Sequence, residues 1–313
     1  MWSDISGHLS EKEVFGMSGC FVSVGRKPIV RVSGRESLDL MQRISTNDLM
    51  SLKPGESRQT ILTNEKGRIV DVVSVLHVAS GELLVVGTNP LPGVLKDWID
   101  RFIIMEDIKT TDVSAGYLES VLYNLEPESR PFDPQLSGHL LAELWGTEVF
   151  FRMVCDFESS SGNVRELQES DIAEQQVDSF EKFRISRGIP AFPGELSAAY
   201  NPLEAGLHDL ISWTKGCYVG QEVIARLDTY KKMERRLVRL AMDGMPGQLP
   251  TPLFDGSAEA GVPTSVTTGD GEDAFVGLGY VKVGHLGKGR ALSSRSGTQS
   301  VKVMVMNGVG KQI

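Results

Sequence analysis

The sequence predicts an α+β protein whose C-terminal part is a small β-barrel or sandwich. In residues 21–50 and again in residues 51–114, strands precede helices and do not alternate with them one by one, which favours an α+β arrangement. After Pro252 the chain reads as short strands separated by glycines, a pattern typical of a small barrel or sandwich. The 313 residues, 41% of them hydrophobic and 23% charged, have an ordinary globular composition and suffice for about two or three domains.

The first unit is predicted to contain two strands and a helix. Apolar and polar residues alternate over residues 21–24 and 29–32, and these two strands flank a turn at residues 25–28. Ser33 and Glu36 have the spacing of a capping box, so we expect a helix to begin there.

The second unit is predicted to contain three strands and a helix. Strands are expected over residues 59–63, 68–78 and 82–87, with a hairpin turn at residues 64–67. The apolar spacing that follows predicts an amphipathic helix over residues 91–102.

Another helix is predicted over residues 172–187. Val177, Phe180 and Phe183 are expected to face inward, and Gly188 is expected to end the helix. Further strands are predicted over residues 149–156, 274–283, 290–294 and 300–306.

The charge balance argues against a nucleic-acid partner. The net charge is −9, and an acidic chain does not wrap nucleic acid through its overall field. Residues 231–236 form one basic run, which is either a solvated connector or a cationic rim for an anionic ligand.

The remaining composition predicts neither a metal site nor a membrane partner. Cys20, Cys155 and Cys217 are odd in number and lack C-x-x-C spacing, and the five histidines show no ligand spacing. No apolar run approaches the ~20 residues of a membrane span, and the first residues do not resemble a signal or transit peptide. A cytoplasmic protein is therefore expected.

One segment, residues 215–226, does not read as ordinary core or loop. It has the pattern K-G-C-Y-x-G-Q-E-x-x-x-R, and its two glycines predict a loop with exposed backbone before a helix that starts at Gln221. Glu222 and Arg226 alone would be a surface helix pair, and Cys217 alone a buried small side chain. Their combination with Lys215 favours a chemical role, since a neighbouring cation favours the thiolate.

This segment resembles the signature of the YgfZ family, folate-binding proteins of iron–sulfur cluster metabolism that are related to the glycine-cleavage T-protein, an aminomethyltransferase. Three shorter blocks are similar too: V-R-V-S-G-R-E from Val30 with S-T-N-D from Ser45, G-R at Gly67, and R-I-S-R-G-I-P from Arg184. The resemblance covers most of the chain.

The resemblance implies two interlocked α+β domains and a C-terminal β-barrel around a central folate-binding cavity. The expected division is a discontinuous folate-binding domain of residues 1–50 and 115–230, an inserted domain of residues 51–114, and a barrel of residues 235–313. The resemblance also implies tetrahydrofolate, or another reduced folate, as the cofactor. Iron–sulfur apoproteins or assembly proteins are the implied partners.

The residue types fit such a ligand. A carboxylate such as Glu204 accepts the paired N–H donors of a pterin, aromatic rings cover its plane, and cations or amides suit its glutamate tail. The expected chemical groups are Cys217, Lys215 and Asp71, the last because it matches the T-protein's catalytic hairpin. The expected folate-binding residues are Glu204, Trp213, Tyr218, Gly216, Gly220, Gln221, Arg226 and Arg184.

Two function hypotheses follow. In the first, the protein binds tetrahydrofolate and supports assembly or repair of iron–sulfur clusters, including those of tRNA-modifying enzymes, with Cys217 as nucleophile or transient iron ligand. In the second, it is a folate-dependent aminomethyl or C1 transferase that uses Asp71, and Cys217 is structural. A third, plainer alternative is a scaffold with a vestigial pocket.

Overall fold

Three β-sheets make up the architecture of the computed structural model, which describes residues 19–123, 138–145, 148–169, 172–269, 274–296 and 299–310. The strands are β1 (Gly19–Gly25), β2 (Ile29–Ser33), β3 (Ser57–Thr63), β4 (Ile69–Ala79), β5 (Glu82–Gly87), β6 (Lys109–Asp112), β7 (Tyr117–Tyr123), β8 (His139–Trp145), β9 (Glu148–Asp156), β10 (Ile172–Glu174), β11 (Arg235–Met242), β12 (Leu253–Asp255), β13 (Ala258–Thr268), β14 (Phe275–Lys282), β15 (Ala291–Ser296) and β16 (Gln299–Gly308). The helices are α1 (Ser37–Ile44), α2 (Val94–Asp100), α3 (Ser160–Glu169), α4 (Val177–Arg187) and α5 (Gln221–Tyr230).

The first sheet has the strand order β10-β1-β7-β9-β8 and the second has the order β3-β4-β5-β2-β6. The last six strands close into a barrel, β11-β14-β13-β12-β15-β16, as the glycine-separated strands predicted. Within these segments, no helix is long and apolar enough to cross a membrane.

The second sheet is apolar on both faces because both faces are covered. On β5, Leu83 and Val85 pack in the core formed with α1 and α2. Leu84 and Val86 point the other way and pack against the first sheet. This two-sided burial explains why the strands of this unit read as nearly continuous apolar runs.

A buried ion cluster joins strands within the first sheet. Arg152 of β9 pairs with Glu119 at 3.0 Å and with Glu143 at 2.8 Å, and all three side chains are at most 7% exposed. Ser74 of the second sheet donates to Glu143 at 2.7 Å, so the cluster also reaches across the two sheets. Burial raises the pKa of Glu119, while the Arg152 charge lowers it.

The division of the chain differs from the predicted one near its beginning. Residues 29–50 were expected in the same domain as residues 115–230. Instead, β2 pairs with β5 and β6, and α1 packs in the core of the second sheet. We therefore propose that the inserted unit begins near residue 29, because the turn after β1 carries the chain from one sheet into the other.

Several local predictions were also wrong. The capping box fails because Ser33 still belongs to β2, and Glu36, which precedes α1, makes no side-chain cap. The helix predicted over residues 172–187 begins only at Val177, which is 49% exposed, because residues 172–174 pair with β1 instead. Helix α2 is shorter than the predicted 91–102, and Leu91 is exposed.

The end of α4 is as predicted. Phe180 and Phe183 lie 5.2 and 4.7 Å from the ring of Tyr123, measured between ring centroids. Gly188 follows the helix with a φ of +81°, a conformation in which glycine avoids the strain of a side chain.

Candidate functional site

The loop before α5 is held against the C-terminal end of α1. The ammonium nitrogen of Lys215 donates to the carbonyl oxygens of Gln42 at 2.6 Å, Ser45 at 2.7 Å and Asn47 at 2.7 Å. A helix leaves its last carbonyl groups without intrahelical partners. Lys215 therefore acts as a side-chain cap of α1.

This contact corrects the role predicted for Lys215. An ammonium has three N–H donors, and all three are used on backbone oxygens. The sequence predicted a different role, that of a neighbouring cation that favours the Cys217 thiolate. Burial lowers the pKa of Lys215 to about 8, although the Asp48 charge opposes this, so the ammonium form still predominates at pH 7.

The other end of the loop is held by α1 and by the end of β3 with the turn that follows it. The Val219 amide donates to the Arg43 carbonyl at 3.3 Å, and the Val219 carbonyl accepts from the Thr63 hydroxyl at 2.6 Å. Gly220 has a φ of +82°, and a Cβ there would lie 2.6 Å from the Asn64 carbonyl oxygen. Glycine is required at this position for both reasons.

Between these two anchors, Gly216 and Cys217 form an exposed tip. Cys217 is exposed, and a Cβ at Gly216 would meet no atom within 4 Å. Cys155 is buried and Cys20 is partly buried against the core. The predicted accessibility of the Cys217 thiol is thus confirmed.

The neighbouring aromatic residues differ in their exposure. Tyr218 is buried, its ring centroid lies 5.4 Å from the Lys215 ammonium nitrogen, and burial raises its pKa to about 12. Trp213 is 40% exposed and its ring lies 4.9 Å from that of His208. Trp213 is therefore the more accessible of the two predicted aromatic residues, and Tyr218 supports the loop from inside.

Helix α5 carries the remaining residues of the motif outward. Gln221 is its first residue and is half-buried, while Glu222 and Arg226 are exposed. No ion pair between Glu222 and Arg226 is present in this described helix. Arg226 is therefore not among the groups that hold the loop against the end of α1.

Glu204 lies where the β3–β4 turn meets the barrel. It is only 3% exposed, and its Oε2 atom lies 3.3 Å from Nη1 of Arg68. Its Oε1 atom accepts from Nε of Arg235 at 3.3 Å, and its carbonyl accepts from the Leu237 amide at 2.8 Å. The carboxylate predicted to face a pterin thus has two arginine partners, because β11 brings Arg235 beside it.

A stack of rings adjoins this carboxylate. The Tyr200 and Tyr280 ring centroids are 3.5 Å apart at an interplanar angle of 12°, and the Arg235 guanidinium carbon lies 5.0 Å from the Tyr200 centroid. The Tyr280 hydroxyl donates to the Glu195 carbonyl at 2.8 Å. Both faces of Tyr200 are covered by side chains of this chain.

Arg184 was predicted to bind the cofactor, but the structure places it in the interior. It is 7% exposed and donates to Glu195 at 3.2 Å and to Ser265 at 3.2 Å. It also donates through Nε to Glu181 at 2.8 Å. Arg184 therefore ties the end of α4 to strand β13 of the barrel.

Asp71 is likewise fully buried. Its Oδ1 atom accepts from the Thr88 amide at 3.0 Å, the Thr88 hydroxyl at 3.0 Å and the Asn89 amide at 2.9 Å. Its Oδ2 atom has no hydrogen-bond partner in the described chain. Burial raises the pKa of Asp71 to about 6, while the hydrogen bonds from Thr88 and Asn89 act in the opposite direction. In this conformation Asp71 supports the β4–β5 connection.

Four residues of this region were missed: Arg68 and Arg235 as partners of Glu204, and Glu195 and Tyr200 as interior groups. Arg235 lies in the basic run that the sequence did reveal, and Arg68 lies in the G-R block. Nothing in the sequence marks Glu195 as buried. Over the residues the structure describes, no group of three or more His, Cys, Asp or Glu side chains is arranged to hold a metal ion.

Comparison with known proteins places this geometry in a wider group. No family model matches the chain. A chloroplastic protein of Arabidopsis thaliana named as a transferase is 28% identical over 278 residues, which cover 81% of this chain and 63% of that protein. An aminomethyltransferase of Symbiobacterium thermophilum is 25% identical over 337 residues, covering 94% of this chain and 88% of that protein.

A mitochondrial iron–sulfur cluster assembly factor IBA57 homolog of Mycosarcoma maydis is 25% identical over 268 residues, covering 74% of this chain and 63% of that protein. The chain thus spans less than two thirds of the length of the Arabidopsis and Mycosarcoma relatives. Homology to the superfamily of aminomethyltransferases, which includes this assembly factor, is clear.

A crystal structure settles the fold. Aminomethyltransferase T of the glycine cleavage system from Bartonella henselae superposes with a TM-score of 0.76, covering 94% of this chain and 86% of that one, at 16% identity. The chain has the fold of aminomethyltransferase T. The predicted T-protein-like α+β fold with a C-terminal barrel is therefore confirmed.

Proposed function

We propose that this protein is a member of the YgfZ family, a cytoplasmic tetrahydrofolate-binding protein that supports assembly or repair of iron–sulfur clusters, including those of tRNA-modifying enzymes. The observation that carries the proposal is the exposed Cys217 between two fixed anchors, the Lys215 cap and the Gly220 contact. One relative is named as an iron–sulfur cluster assembly factor, which supports the proposed role. That relative is named as mitochondrial, and the Arabidopsis relative is named as chloroplastic.

The chemistry of a thiol suits this function. A thiolate is a good ligand for iron and a good nucleophile, and an exposed one is within reach of a client apoprotein. Because Lys215 and Val219 fix the backbone on both sides, the thiol is held in place without being buried. Asp71 has no exposed surface and offers no comparable contact.

The residues present fit a reduced folate at the junction around Glu204. A buried carboxylate is the acceptor that the N–H groups of a pterin require, and its present partners are two arginine contacts of 3.3 Å and the Asn201 amide at 3.1 Å. A reduced folate supplies a carrier for one-carbon groups when it is bound. Glu204 would hold its pterin by exchanging an arginine contact for pterin N–H donors.

The test uses a strain that lacks the gene and variants of the full chain. We expect Cys217→Ala to abolish restoration of a cellular iron–sulfur enzyme that modifies tRNA, and Cys20→Ala, the matched thiol control, to restore it. Calorimetric titration with a reduced folate should give binding to the wild-type protein, weakened by Glu204→Gln. Full restoration by Cys217→Ala, or no folate binding up to millimolar concentration, would contradict the proposal.

The second candidate is a folate-dependent aminomethyl or C1 transferase. Several relatives named as aminomethyltransferases and the fold itself favour it. It predicts that Asp71→Asn abolishes function and Cys217→Ala does not. The two variants in the same assay therefore separate the candidates.

A further inference from the structure

Two guanidinium groups converge on one buried carboxylate. Arg68 and Arg235 lie on opposite sides of Glu204, and each also donates to the carbonyl oxygen of Ala199, at 3.1 and 3.2 Å. Because both nitrogens lie within 3.2 Å of the same oxygen, they are no more than about 6 Å apart. Glu204 neutralises one of the two positive charges, so one charge remains.

Most N–H donors of the two arginines are not used inside the protein. A guanidinium has five N–H donors. Within the described residues, Arg68 donates only through Nη1, and Arg235 donates through Nε and Nη2. The two side chains are 35% and 32% exposed, so both are partly open to solvent.

Both guanidinium groups are held in position before any ligand arrives. Arg235 stacks on Tyr200, which in turn stacks on the buried Tyr280. Arg68 is fixed by Glu204 and by its place at the end of the β3–β4 turn. Preorganised donors lose less conformational entropy on binding, and a pair of arginine forks matches the oxygens of a carboxylate or phosphate.

Three exposed lysines lie close in the chain to the pair. Lys66 is exposed on the same turn as Arg68, and Lys231 and Lys232 are exposed just before Arg235, although Glu65 and Glu234 are exposed in the same two segments. The chain as a whole carries a net charge of −9, so a local cationic surface is not the default here. Arg235, near the end of the basic run of residues 231–236, thus belongs to an ordered pair with Arg68.

We infer that Arg68 and Arg235 form a binding site for an oxyanion of the phosphate type, separate from the pterin contact proposed for Glu204. The anion accepts from the outward donors of both arginines and offsets the charge that Glu204 leaves. Glu204 and Ala199 position the pair from behind.

The first arm of the test uses inorganic phosphate and does not depend on folate binding. Calorimetric titration is run at constant ionic strength, with chloride as the reference salt. We expect Arg68→Gln and Arg235→Gln each to weaken phosphate binding about tenfold, since each removes a charge-assisted donor set. Arg31→Gln is the matched control, because Arg31 is also a partly exposed arginine paired with a glutamate, Glu82.

The second arm, which rests on the proposed function, titrates a reduced folate in the absence and in the presence of phosphate. Because the pterin is proposed to bind Glu204 beside the two arginines, saturating phosphate should weaken folate binding to the wild-type protein and should weaken it less in Arg68→Gln and Arg235→Gln. Arg68→Lys keeps the positive charge beside Glu204, so a change in its affinity does not come from loss of the fold. This variant should bind phosphate with intermediate affinity.

The outcomes separate the two ideas. Phosphate binding that depends on both arginines, without binding of a reduced folate, supports the oxyanion site and removes the folate proposal. The oxyanion site is overturned if the wild-type protein shows no heat with phosphate up to about 20 mM, or if the arginine variants bind phosphate as well as the wild-type protein does.

Discussion

The Lys215 cap can be tested by removing its charge and keeping its length. Lys215→Met retains the apolar stem and deletes the ammonium that binds the carbonyl groups of Gln42, Ser45 and Asn47. The end of α1 then loses its cap, and the loop that carries Cys217 loses one of its two anchors.

The expected cost follows from the three contacts. A hydrogen bond that involves a charged group contributes about 1.5–3 kcal/mol. The lower value applies here because Lys215 is only partly buried and water replaces some of the contacts. Removing the ammonium also removes the free-energy cost of burying it, and this gain offsets part of the loss of the hydrogen bonds. We therefore expect the local free energy of opening to fall by about 2–3 kcal/mol.

Amide hydrogen exchange measures this quantity directly. The Val219 amide, which donates to the Arg43 carbonyl, should exchange about 30 to 150 times faster in Lys215→Met, since each 1.4 kcal/mol is a factor of ten. Lys66→Met is the control, because Lys66 is exposed. If exchange at Val219 is unchanged while alkylation of Cys217 slows, Lys215 acts on the thiol and the cap interpretation is refuted.

Three further predictions concern the framework. Arg152→Met should lower the free energy of unfolding, measured in urea, by about 3–5 kcal/mol, because it leaves two buried carboxylates without their arginine. Arg31→Met, which breaks a partly exposed ion pair, should change this free energy little, and equal effects of the two variants would contradict the buried cluster. Asp71 has a folded-state pKa of about 6 against an ordinary 3.8, so it contributes stability below about pH 4 that is lost as the pH rises through 6. Comparison with Asp71→Asn by urea unfolding at pH 4 and pH 7 should therefore show a difference on the order of 3 kcal/mol, and a pH-independent difference would refute it. Gly220→Ala should lower the melting temperature and Gly216→Ala should not, because only the first places a Cβ against backbone at a positive φ; identical melting curves would exclude the close approach.

Local signals in the sequence predicted the parts of the fold that depend on neighbours in the chain. The stop at Gly188 and the start of α5 at Gln221 follow from residues within one helical turn. The strand-rich C-terminal part was visible because glycines separate its short strands. Pairing partners were not visible, and for this reason residues 172–174 were assigned to a helix although they form a strand beside β1.

The residue types of the site could be predicted from the sequence, but their contact partners could not. The motif showed that Cys217 and Lys215 belong together, and the structure agrees that they share one loop. The sequence did not show that the ammonium of Lys215 binds a helix end formed much earlier in the chain. Glu204 likewise looked free, because its partners Arg68 and Arg235 come from two different sheets.

The same cap has a consequence for synthesis of the protein on the ribosome. Lys215 is separated by 168 to 173 residues from the carbonyl groups that it binds. At ~5–20 residues per second, roughly 10 to 30 s pass between the emergence of α1 and that of its cap. During this interval the carbonyl groups of Gln42, Ser45 and Asn47 lack their Lys215 partner, and the tip that carries Cys217 has not yet been made. The thiol therefore acquires its fixed frame only after every strand of the second sheet has been synthesised, and before any strand of the barrel has been.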